Sequence, residues 1–139
     1  MKKLSTLIAL GFFVLMAIAK PNFNADQFKG YSAQMQTLTQ KYLDANENEN
    51  ASKVVEKWVK DYYTLSAGQQ SLMKSELAGF LFTKSRVYAR LNENGKAIKA
   101  MKEAIQNGFK DYQSAANAPE LSSVRNDDAF VKLLDSIKG

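Results

Sequence analysis

Residues 42–58 read YLDANENENASKVVEKW, and residues 88–104 read YARLNENGKAIKAMKEA. Laid on each other without a gap, they share Tyr42/Tyr88, Asn46/Asn92, Glu47/Glu93, Asn48/Asn94, Ala51/Ala97 and Lys53/Lys99. Each stretch reads as the end of one helix, a short polar corner and the start of another. A chain that repeats such a unit buries the apolar face of each copy on the next. That points to helical hairpins stacked in a row. The small Ala51 and Ala97 let two helices approach closely, and Tyr42 and Tyr88 fill the space beside them. Asn and Glu at the corner are turn and cap residues that water can solvate.

Apolar spacing supports helices throughout. Phe28, Tyr31, Met35, Leu38 and Tyr42 recur every three or four residues, which predicts a helix over 24–45. Asn24 and Gln27 are spaced as a capping box, in which each side chain satisfies a free amide of the first turn. A second helix is expected over 51–64, with Val54, Val55, Trp58, Val59 and Tyr62 inward. Ser66 and Gln69 form a second capping box, opening a long helix to about Leu91. Met73, Leu77, Phe80, Leu81, Tyr88 and Leu91 are its apolar face. A fourth helix is expected over 96–107, carrying Ile98, Met101 and Ile105, and stopped at Asn107-Gly108. Shorter units follow: a turn or two at 112–116, a start at Pro119, and a last helix capped by Asn126 or Asp127 with Phe130, Val131, Leu134 and Ile137 inward. No stretch alternates as a strand would.

Composition narrows the chemistry. The 139 residues contain no Cys and no His, which removes disulfides, thiolate metal sites, Cys nucleophiles and His bases. No cofactor or metal is implied. The opening MKKLSTLIALGFFVLMAIAK has a basic start, an apolar run and an Ala17-Ile18-Ala19 cleavage pattern. It is read as a signal peptide over 1–19, giving an exported periplasmic or secreted protein that begins at Lys20. An uncleaved membrane anchor is the alternative. Export without cysteine leaves packing alone to hold the fold. Lys2 and Lys3 contribute to the net charge of +5. Without the first 19 residues, 17 basic residues face 14 acidic ones, so the excess is modest.

Residues 78–111 resemble a tetratricopeptide repeat. Its large, small, aromatic, small, large and small positions fall on Leu81, Ser85, Tyr88, Ala97, Met101 and Ala104. Lys84 stands where an apolar residue is usual, and the corner glycine is displaced to Gly95. The earlier copy keeps Tyr42, Ala51 and Val55 but places Trp58 at a small position. The copies are offset by 46 residues, against roughly 34 in the family. The tail is similar to the closing segment of bacterial tetratricopeptide proteins through Gly108-Phe109, Glu120-Leu121, Arg125 and Phe130. The resemblance implies an all-α right-handed solenoid of antiparallel hairpins (24–65 and 67–108) with a C-terminal cap over 109–139. It further implies a groove that binds a protein or peptide, in a monomer or weak oligomer. Its groove positions would be Phe82, Arg86, Ala89 and Arg90 in one unit and Gln36, Gln40 and Asp44 in the other. Arg86 and Arg90 lie one helical turn apart and could hold an acidic group. The bland reading of the same pair is a solvated helix face.

Other residues carry weaker signals. Ser71-Leu-Met-Lys74 matches the S-x-x-K pattern of serine acyl enzymes, without its companion motifs. Asp127 and Asp128 could pair on a metal, although two acids at a helix start more often serve the cap. Trp58, Tyr62 and Tyr63 could form an aromatic platform, yet their spacing suits packing. Asn50-Ala-Ser52 is a glycosylation sequon, relevant only in a eukaryotic secretory host. The leading expectation is a non-catalytic exported interaction module, with neither nucleic acid as partner nor a membrane span after cleavage. The rivals are a basic protein that binds the anionic cell-envelope surface and a small Ser/Lys hydrolase.

Overall fold

The computed structural model describes residues 23–139. The expected signal peptide and its cleavage site lie outside the described residues. The described chain is all-helical, with seven α-helices: α1 Ala25–Asp44, α2 Asn48–Tyr62, α3 Ala67–Leu72, α4 Lys74–Arg90, α5 Asn94–Gln106, α6 Tyr112–Asn117 and α7 Asp128–Ile137. A 3-10 turn, Pro119–Ser123, sits between α6 and α7. Helices α1 and α2 pack together, α2 packs on α4, and α4 packs on α5. The 3-10 turn lies against α4, and α7 lies against α5.

The repeated sequence forms the same corner twice. After α1 the Asn46 N–H donates to Leu43 O at 3.0 Å and the Glu47 N–H to Tyr42 O at 2.8 Å. After α4 the Asn92 N–H donates to Ala89 O at 3.0 Å and the Glu93 N–H to Tyr88 O at 2.9 Å. This paired pattern is a Schellman stop, which satisfies carbonyls that the helix end leaves free. It requires a left-handed residue, and Asn46 (φ 58°) and Asn92 (φ 57°) supply it. Asn tolerates that conformation because its short polar side chain can bond locally. The end of α5 repeats the pattern with Gly108 at φ 104°, where Phe109 N–H reaches Ala104 O at 3.0 Å.

Both second helices start earlier than the apolar pattern suggests, at Asn48 and Asn94. The polar run after each corner is the first helical turn, whose free amides water and acidic side chains can satisfy. The long third helix expected from Ser66 is divided. The Ser66–Gln69 capping box forms as expected, but the chain breaks at Met73, whose φ −103°, ψ 14° lies outside the helical range. Met73 is fully buried there. Met73 is anchored in the core while α3 buries none of its residues, which accounts for the break. The Asn24–Gln27 box also forms, with Gln27 N–H donating to Asn24 Oδ1 at 2.9 Å.

The core has two lobes. One joins Phe28, Met35, Tyr42, Val54, Val55, Trp58, Leu77 and Phe80 across α1, α2 and α4. At its centre Trp58 and Phe80 stack with ring centroids 3.8 Å apart. The Trp58 indole N–H donates to Ser32 Oγ at 2.8 Å, and Ser32 in turn donates to Phe28 O at 2.7 Å. The largest core side chain is thereby fully satisfied. The other lobe joins Met101, Ala97, Leu121, Val124, Phe130 and Leu134. Val131, expected inward, is 40% exposed. Helix α7 runs for 10 residues, and the stripe through Phe130 and Leu134 meets α5 while Val131 falls beside it.

Candidate functional site

The face expected to form a groove comes from α1 and α4, and the structure brings most of those residues together. Arg86 on α4 donates from Nη2 to Gln40 Oε1 on α1 at 2.9 Å. One turn earlier, Thr83 Oγ1 donates to Gln36 Oε1 at 3.2 Å. Gln40 passes the chain on, donating from Nε2 to Asp44 Oδ1 at 2.8 Å. Phe82 stacks on Phe109 with centroids 4.5 Å apart, and the Arg86 guanidinium lies 5.8 Å from the Phe82 ring centre. Ala89 is not on this surface. It is buried under the 3-10 turn, where Ser123 Oγ donates to Ala89 O at 3.1 Å.

A residue outside the expected set completes the cluster. Glu120, on the 3-10 turn, accepts from Arg86 Nη2 through Oε1 at 2.6 Å. Its side chain is 7% exposed and that of Arg86 18%. Glu120 Oε2 is buried and has no hydrogen-bond partner among the described residues. Burial works against the Glu120 charge. The Arg86 hydrogen bond, the backbone N–H of Glu120 itself and the fields of Arg86 and Arg90 outweigh it, so the carboxyl stays below its ordinary pKa. Arg90, the next turn along α4, is exposed and makes no hydrogen bond or salt bridge among the described residues. Arg86 is therefore already engaged from both sides, while Arg90 presents its guanidinium to solvent. Glu120 sits 34 residues from Arg86, and no periodicity connects positions so far apart. The one sequence sign was its place in the Glu120-Leu121 pair of the tail.

A second polar cluster lies across α2, α4 and α5. Glu56, Lys84, Tyr88, Lys96, Lys99 and Glu103 line a cleft of about 340 Å³. Tyr88 Oη donates to Glu56 Oε1 at 2.6 Å, and Lys84 Nζ sits 3.1 Å from the same oxygen. Burial first, then the hydrogen bond to Glu56 and its charge, push the Tyr88 hydroxyl well above its usual pKa. Glu56 is itself held low, because hydrogen bonds from Tyr88 and Lys84 overcome its desolvation. The first hairpin has a parallel arrangement. Tyr31 Oη donates to Asp61 Oδ2 at 2.6 Å, and Lys57 pairs with the same carboxylate. These groups tie helices together and leave their charges compensated, which is a packing role.

The remaining sequence signals resolve into local structure. Ser71 lies near the end of α3 and Lys74 opens α4, with the Met73 break between them. Both side chains are exposed. Asp127 caps α7, accepting from Ala129 N–H at 2.9 Å. Trp58 and Tyr62 are core residues, and Tyr63 alone of that trio is exposed, at 60%. No helix among the described residues is long and apolar enough to cross a membrane. Comparison of the chain with protein-family models, with curated proteins and with solved structures finds no match to any of the three.

Proposed function

We propose that this protein is a non-catalytic, exported interaction module built as a tetratricopeptide-like solenoid, which binds a protein or peptide across α1 and α4. The observation that carries the reading is the pair of hydrogen bonds between α1 and α4, Arg86 to Gln40 and Thr83 to Gln36, with Asp44 joined to the same strip through Gln40. Residues of two repeated units, 46 positions apart in sequence, line one polar strip, as the groove of such an array requires. The fold is consistent with this. Leu81, Ser85, Tyr88, Ala97, Met101 and Ala104, the six motif positions, are all buried. Ser85 Oγ donates to Ala97 O at 2.7 Å, so the two small residues mark a close approach of α4 and α5. The strip is short, which favours a short peptide segment or one edge of a folded partner over a long extended ligand.

The test uses surface residues that carry no buried load. Affinity-tagged full chain is cross-linked in envelope extracts beside the double variant Asp44→Lys, Arg90→Glu. A partner captured by the first and lost by the second supports the groove. A partner captured equally by both removes binding from this face. The basic-surface alternative predicts capture of anionic envelope polymer that fades steeply with salt, and it would be insensitive to Asp44.

A further inference from the structure

Arg86 is the more buried of the two arginines on the groove face, and the chain engages it with its own carboxylate. The fit is incomplete in two respects. Glu120 uses only Oε1, leaving Oε2 buried without a donor among the described residues. Arg90, one turn from Arg86 on the same face, has no acceptor among the described residues. A carboxylate approaching from solvent could contact both guanidiniums, which a helix places one above the other at this spacing. Glu120 contacts one. If displaced, Glu120 would regain water on both oxygens.

The displacement is local. Glu120 lies on a 3-10 turn whose neighbours Leu121 and Val124 are fully buried. Ser123 fastens the same turn to Ala89 O and to Asn94. Rotation of the Glu120 side chain breaks none of these contacts. Pro119, just before Glu120, and Ser122, two residues on, are exposed, so solvent lies along this edge of the turn.

Resting on the groove reading above, we infer that Glu120 is a built-in occupant of the Arg86 receptor, exchanged for an acidic side chain of the partner while the tail stays docked. The groove is then self-occluded in the partner-free state. Its apparent affinity is reduced by the fraction of molecules in which Glu120 is seated.

The test is a nuclear magnetic resonance titration of the full chain with acetylated, amidated tetraglutamate. The Arg86 Nε–Hε and the Glu120 side-chain carboxyl resonances should move together as peptide is added. Glu120→Gln keeps an oxygen acceptor for Arg86 and so keeps the fold, but it removes the competing charge. It should tighten peptide binding about tenfold, as expected if the occupant is seated in roughly nine molecules of ten. Arg90→Gln should weaken binding in both backgrounds. Peptide binding that moves Arg86 but leaves Glu120 unmoved, with no tightening in Glu120→Gln, overturns the exchange and leaves the groove intact. Absence of any Arg86 response in both proteins overturns the inference too, and the capture experiment then decides the proposed function independently.

Discussion

Replacing Asn92 by Ala tests the feature that organises this fold. Asn92 holds φ 57° with its N–H on Ala89 O, and the next N–H, that of Glu93, closes on Tyr88 O. Alanine at such a position places Cβ against the following carbonyl oxygen, a cost of about 1–2 kcal/mol for an ordinary L-residue. Asn carries part of that strain already, so the net loss expected for Asn92→Ala is about 1 kcal/mol. Asn92→Gly escapes the strain and loses some chain entropy, so it should lie within about 0.5 kcal/mol of wild type. Asn46 has φ 58° and the same two hydrogen bonds. Asn46→Ala should therefore cost the same amount, and the double variant should cost about 2 kcal/mol, since the two sites share no partner. Urea unfolding reports this directly. Trp58 is the single tryptophan and is fully buried, so its emission follows loss of the core. With a slope of about 1–2 kcal/mol/M for a domain this size, each single Ala variant should lower the midpoint by about 0.5–1 M. Ala variants as stable as wild type, or Gly variants less stable than Ala, would refute the account of the corner.

Other outcomes follow from the side-chain network. Ser32→Ala removes the acceptor of the Trp58 indole N–H; leaving that buried donor unsatisfied should cost about 1–3 kcal/mol in the same urea assay. Arg86→Ala removes the cation of Glu120 and the bond to Gln40; because the Glu120 side chain can then turn to water, the loss should be about 1–2 kcal/mol, more than Arg90→Ala, which should be close to neutral. Glu56 and Glu120 are held below their unfolded pKa values. Their contribution is full above about pH 4.5 and is lost as pH falls through the folded values, so the urea midpoint should drop below that pH. Replacing Glu120 by Gln should shallow that drop. Tyr31 and Tyr88 are raised by burial and by their carboxylate partners. The stability they supply is complete below about pH 10, the unfolded value, and declines as pH rises toward the folded values. The Tyr31→Phe, Tyr88→Phe double variant should flatten that alkaline limb, read by urea midpoints across the range.

Much of the local structure was legible because its causes are local. Helix periodicity, both capping boxes and the Gly108 stop depend on residues within one or two turns, and each formed where the pattern placed it. The boundary errors have the same origin. Polar residues after Asn46 and Asn92 look like loop to a hydrophobic count, yet they are a helical first turn once the left-handed Asn has turned the chain. The break at Met73 was not legible. The residue's side chain is drawn into a core assembled from α1, α2 and α4, and no neighbour in sequence encodes that pull.

The candidate site divides along the same line. A helical period suffices to put Arg86 and Arg90 on one face, whereas pairing that face with Gln36, Gln40 and Asp44 was only what the tetratricopeptide resemblance implies. Which of these charges remains available to a partner depended on Glu120, 34 residues further along the chain. Hydrogen bonding and apolar period act over a few residues, and they were enough for an all-helical chain and its repeated corners. Packing across elements is what occupies Arg86 and leaves Arg90 exposed. Ion pairing of buried groups is set by what packing brings within about 3 Å, and packing joins elements that the sequence keeps far apart.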